Sequence, residues 1–117
     1  MWGVLAETLA HHLPEQAEAL HLSFALADVA HFEELLRSAG LRDVRVVQET
    51  REGVFDSFAE YWAPIEVGIG QMPQAYLSLA EPRRRAVREE VEARLSNFMS
   101  SGRLVMNVHM NIGIGRA

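Results

Sequence analysis

The chain has 117 residues, 49% of them hydrophobic and 23% charged, with a formal net charge of -5. The length fits one domain, residues 1–117, able to bury a core without disulfides, and the acidic balance argues against a surface that tracks nucleic-acid phosphates. It has no cysteine, which excludes a thiol nucleophile and a thiolate metal site and fits a reducing, cytoplasmic setting.

In chain order, Val4, Leu5, Leu9 and Leu13 recur at helical spacing, so a short amphipathic helix is expected from Trp2 to Leu13, ended by Pro14. Glu15 to Leu22 reads as a weaker helical or irregular connection. Asp28 to Ala39 is the clearest helix. Asp28 can accept the free backbone N–H groups of the first turn, Phe32, Leu35, Leu36 and Ala39 share one face, and Gly40 stands where a left-handed residue is wanted. Leu41 to Thr50 reads as a strand, with a bend at Gly53 before Phe55.

Ser57-Phe58-Ala59-Glu60 is a capping-box pattern, which predicts a helix from Phe58 to about Val67, broken by Gly68-Ile69-Gly70. A short helix follows around Pro73 to Leu79. Glu81-Pro82 starts another, since proline at the first helical position sacrifices no hydrogen bond. Val87, Val91, Leu95 and Phe98 give that helix a core stripe through Met99, and Ser101-Gly102 stops it. Arg83-Arg84-Arg85 reads as a solvated face, paired with Glu89, Glu90 and Glu92. The last segment alternates strictly: Leu104, Met106, Val108, Met110, Ile112 and Ile114 fall on one side, Asn107, His109, Asn111 and Gly113 on the other. It is a long strand with one apolar face. The expected fold is α+β and helix-rich, with a small antiparallel sheet of two strands, about 41–50 and 104–115. No apolar run approaches the ~20 residues of a membrane span, and no secretory signal is visible.

Several of these segments carry a family resemblance. Phe32-x-x-Leu35-Leu36-x-x-Ala39-Gly40-Leu41-x-Asp43-Val44 resembles the helix leading into strand six of class I S-adenosylmethionine-dependent methyltransferases of the small-molecule type. Phe55-x-Ser57-x-x-Glu60-Tyr61-Trp62 is similar to the start of the helical insert before strand seven. Leu95 to Ala117 resembles the final helix and strand seven, and Met1-Trp2 the end of strand five. In that family the cofactor lies on strands one to four, in a glycine-rich turn after the first strand. No such turn is found here: Gly68-Ile69-Gly70 follows no strand, and Gly113-Ile114-Gly115 precedes no helix. The resemblance therefore implies the substrate-cap, C-terminal portion of a methyltransferase, with the cofactor-binding half absent. This chain alone would bind no S-adenosylmethionine and would not be catalytically competent. It also implies that Phe55, Tyr61, Trp62, Glu66 and Met72 are the positions that face a substrate.

The residues themselves leave alternatives open. Tyr61 and Trp62 serve a core or interface as well as a pocket wall, and Glu60 is explained by capping as fully as by a base. His109, between two asparagines, reads as a hydrogen-bonded strand face or as part of a pocket completed by a second copy. His11, His12, His21, His31 and His109 lack metal-ligand spacing, so no metal is expected. Glu89, Glu90 and Glu92 face no fixed second carboxylate, which leaves no acid–base pair.

In the family, strand seven lies between strands five and six. With strand five missing, the last strand should expose an unpaired edge and an apolar face, a hazard unless covered. A homodimer through that strand is the expected cover; a separate chain carrying the cofactor half is the alternative. Three functions compete: a cap fragment of a methyltransferase, a stand-alone dimeric small-molecule-binding module, and a partner that docks on a methyltransferase chain.

Overall fold

The computed structural model describes residues 2–117. Met1 lies outside the described residues, so the expected strand end at Met1-Trp2 can be placed only for Trp2, which stands at the N-cap of the first helix. The elements are α1 (Gly3–His12), α2 (Ala17–Leu22), α3 (Val29–Ser38), β1 (Arg42–Phe55), α4 (Phe58–Val67), α5 (Gln71–Leu77), α6 (Glu81–Arg94), β2 (Met99–Ser100) and β3 (Arg103–Arg116), with 3₁₀ turns at Pro14–Gln16 and Ser96–Phe98. The fold is α+β, with an antiparallel sheet in the order β1-β3-β2.

The helix starts follow their side chains. The Asp28 carboxylate accepts the His31 N–H at 3.1 Å and opens α3. The Ser57 hydroxyl accepts the Glu60 N–H at 3.1 Å, and the Glu60 carboxylate reaches back to the Asp56 N–H. The reciprocal cap is therefore formed, displaced by one residue at its return arm. Gly40, just past α3, takes φ 90°.

Three expectations about the sheet need correction. It has three strands, not two: α6 already ends at Arg94, and Ser101 (φ 52°) and Gly102 (φ 79°), rather than stopping it, follow a further short strand. They form a two-residue turn with both φ positive, the hairpin geometry that matches strand twist, and so pair Met99-Ser100 with Leu104-Arg103. β1 runs on to Phe55 rather than ending near Thr50. Gly53 pairs with Met106 inside the ladder and makes no bend, because cross-strand hydrogen bonding holds it extended; a Cβ there would stand 3.3 Å from Val108. Phe98 leaves the core stripe: α6 ends at Arg94, and the 3₁₀ turn swings Phe98 outward, exposed.

The core gathers Leu5, Leu9 and Leu13 of the α1 segment, Leu20, the α4 residues Phe58, Tyr61, Trp62 and Ile65, Tyr76 of α5, Val87 and Val91 of α6, Leu95, and the first inward pair of β3, Leu104 and Met106. Thr8 is buried with them. Its hydroxyl donates to the Val4 carbonyl at 2.8 Å and accepts from Arg94 at 3.2 Å, which locks α1 to α6.

Beyond this core, β1 and β3 continue as a two-stranded ribbon. A bulge between Arg42 and Arg45, with Asp43 at φ 51°, interrupts their pairing, which resumes at Arg42 and Arg116. α3 lies on one face of the ribbon, where Phe32 and Leu36 close over Gly113. Asn111 donates to the carbonyls of Leu26 (2.8 Å) and Ala27 (3.0 Å), tying down the loop before α3. No residue of 21–57 or 107–117 is buried. The radius of gyration is 16.7 Å, against about 13 Å for a compact chain of this length. The ribbon arm accounts for that excess.

Candidate functional site

α4 carries most of the expected pocket residues, and its periodicity decides where they go. Tyr61, Trp62 and Ile65 fall on the inward face. Tyr61 stacks on Trp2 (4.8 Å between ring centroids) and meets Phe55 edge-on at 5.4 Å. Trp62 stacks on Phe58 at 5.5 Å and meets Tyr76 edge-on at 5.3 Å. The structure thus brings Phe55, Tyr61 and Trp62 into one aromatic cluster. Tyr61 and Trp62 are fully buried. Burial alone pushes the Tyr61 hydroxyl far above the ordinary tyrosine range.

Glu66, at the outer rim of α4, accepts the Trp62 indole N–H at 2.7 Å and the Tyr76 hydroxyl at 3.0 Å on one carboxylate oxygen. It satisfies two largely buried donors and fastens α4 to α5. Burial raises the Tyr76 pKa first, and the hydrogen bond and charge of Glu66 raise it further.

Met72 stands apart, in an apolar cavity of about 210 Å³ between α1, the end of α4 and the start of α5. Trp2, Leu5, Pro64, Ile65 and Ile69 supply its walls, and Ser23 and Gln71 its polar side chains. No titratable side chain lines it, so it can hold and orient an apolar group but cannot move a proton. Trp2 is the wall that the sequence reading missed. Its only signal there was a large aromatic ring just ahead of a helix.

His109 is not near these residues. It is exposed on the ribbon, its Nδ1 3.0 Å from the Thr50 hydroxyl. It lines an open groove of about 520 Å³ with Gly3, Val4, Glu52, Leu95, Phe98, Val105, Met106 and Asn107. That groove runs beside β3 just past β2, where β3 loses its second neighbour.

The arginine run is less uniformly solvated than expected. Arg84 pairs with Glu81 at 2.8 Å, and Arg83 donates to the His12 carbonyl at 2.6 Å. Glu90 pairs with His12 at 3.0 Å rather than with an arginine. The i,i+4 spacing allowed the intrahelical pairs, but the packing of α1 against α6 supplied nearer partners. Arg84, Arg85 and Arg88 line a small notch of about 160 Å³ with Glu66, Tyr76 and Glu81, and the Arg84 Nε is a buried donor without a partner.

Among the described residues, no group of three or more His, Asp or Glu side chains is placed to hold a metal ion, and no helix is long and apolar enough to cross a membrane. Gly68 and Gly70 have positive φ, yet they connect two helices, and Gly70 borders an apolar cavity. They offer none of the strand-to-helix turn that cradles a nucleotide. Comparison with protein-family models, curated proteins and solved structures finds no match for the chain.

Proposed function

We propose that these 117 residues are the substrate-roofing portion of a class I methyltransferase-type fold, and that they do not transfer a methyl group by themselves. One observation carries the reading. β3 is antiparallel to β1, and its other edge is open from Val105 onward, while Gly3 and Val4, at the start of α1, line the same groove as that edge. A strand that ended at Trp2 would pass along β3 and complete the sheet there, the position strand five holds in the family the sequence resembles. α4, α5 and α6 then form the insert between the two last strands, and the Trp2–Met72 cavity receives an apolar part of the methyl acceptor. The contribution of such a roof is to orient the acceptor and exclude water.

A second reading is favoured by the cavity itself: a stand-alone module that binds a small apolar molecule. Titration calorimetry separates the two claims about this chain. With S-adenosylmethionine, no heat of binding is expected up to millimolar concentration; a micromolar Kd overturns the proposal. Addition of a chain carrying a glycine-rich cofactor half restores cofactor binding and methyl transfer if the roof reading holds. The binding-module reading expects no such restoration.

A further inference from the structure

β3 has an open edge. From Val105 to Arg116 the strand has β1 on one side and, among the described residues, no strand on the other. On its apolar face, Leu104 and Met106 are buried at 0% and 6% exposure, whereas Met110, Ile112 and Ile114 are 45%, 46% and 42% exposed. Val47, opposite Ile112, is exposed beside them. Long, flat, apolar edges recruit another strand unless charge, proline or a bulge blunts them. From Leu104 to Gly115 the strand has no Lys, Arg, Asp, Glu or Pro.

We infer that this edge is a self-recognition surface: two copies of the chain pair β3 with β3 antiparallel across a two-fold axis near Met110. The register follows from the fold. β2 already occupies the edge at Arg103 and Leu104, so the second strand can pair only beyond it. Centring on Met110 sets Val105 against Gly115 and Met106 against Ile114 of the second copy; Arg116, which would fall opposite Leu104 where Met99 of β2 pairs, has to turn away. An antiparallel two-fold pairing places even-numbered residues opposite even-numbered ones, so the apolar faces of both copies merge on one side of a continuous sheet. His109 meets Asn111 of the second copy on the other side, and no like charges are opposed.

The area agrees. The chain exposes 7464 Å², about 1,000 Å² more than a compact monomer of its mass by size scaling. A standard interface removes about 800 Å² from each partner. The inference concerns the chain by itself: where a strand of a cofactor half lies along β3, as in the proposed function, that edge is taken and no β3–β3 pairing is expected.

Light scattering on the purified chain at tens of micromolar is expected to give twice the 13.1 kDa of one chain; a monomer mass overturns the inference. The register is read separately. Because the chain lacks cysteine, Met110→Cys introduces a lone thiol. Facing antiparallel residues have Cα atoms about 4.5–5.5 Å apart, within disulfide reach. Mild oxidation should therefore convert most of the Met110→Cys chain to a covalent dimer. Glu15→Cys, exposed and the full length of α1 away from the groove, should remain uncoupled. Coupling no faster at 110 than at 15 overturns the strand pairing even if the mass is that of a dimer. Met110→Lys sets like charges face to face and should weaken association by roughly tenfold or more, while circular dichroism reports an unchanged fold.

Discussion

The helical lobe and the ribbon arm are joined through β1 and β3, and the two halves of β3 are treated oppositely. Within the lobe, Leu104 and Met106 press into the core formed by α1, α4 and α6. In the arm, Met110, Ile112 and Ile114 continue the same alternation on the same face, with nothing packed over them. α3 covers the other face of the arm, where Gly113 lets Phe32 and Leu36 approach. An apolar period thus prescribes which way a side chain points and is silent on whether anything stands there to receive it. Stability should reside in the lobe, and assembly in the arm.

The sharpest way to break this division is to remove the centre of the lobe. Trp62→Ala deletes a fully buried ring stacked on Phe58 and removes one of the two donors that satisfy Glu66. Urea denaturation should show a loss of about 3–5 kcal/mol; a loss under 1 kcal/mol would mean that the aromatic cluster does not organise the core.

A paired comparison within β3 comes next. Leu104→Ala is expected to cost about 2–5 kcal/mol. Ile112→Ala, measured at dilutions where the chain is monomeric, should cost less than about 1 kcal/mol, because little apolar area is removed from water there. Equal losses would abolish the distinction between the halves.

The arm can be tested alone through Gly113→Ala. An added Cβ would lie 2.7 Å from Phe32 Cζ and 2.8 Å from Leu36 Cδ1, so these side chains must shift and loosen α3 on the ribbon, at about 1–3 kcal/mol for such overpacking. Hydrogen exchange should show lost protection across Val29–Ser38 and none across α4 or α6. Loss spread over both regions would mean that lobe and arm unfold as one unit.

The smallest effect concerns alkaline pH. Folding raises the Tyr61 and Tyr76 pKa values by keeping both rings from water. An acid group whose folded pKa is raised is still protonated in the folded state when the unfolded chain has begun to lose that proton. The stability is therefore fully present below the ordinary tyrosine value near 10, and falls as pH rises past it. Tyr61→Phe should flatten the decline in urea midpoint above that pH; an unchanged decline would assign it to other groups.

Much of the local structure was legible because its causes are local. The Asp28 cap, the Ser57–Glu60 cap, the proline start of α6 and the alternation of Leu104 to Ile114 each depend on residues within a few positions of one another. Gly53 was misjudged because a glycine in isolation signals a bend, whereas its pairing with Met106 lies far along the chain. Phe98 was misjudged because helical spacing was extended past the true end of α6. Of the expected site residues, Phe55, Tyr61 and Trp62 do meet, but inside the core. Met72 was found without its cavity partner Trp2, since two residues seventy positions apart leave no joint trace in a single sequence.

The sequence by itself determined the capped helix starts, the alternating faces of β3 and the α+β class, because side-chain chemistry and backbone geometry act over one or two turns. Only the tertiary structure decided that β3 runs between β1 and the short β2, that its first inward pair is buried and its last three inward residues are not, and that a free edge lies beside the start of α1. Those outcomes depend on contacts between distant segments, and a periodic pattern encodes a direction without encoding a neighbour.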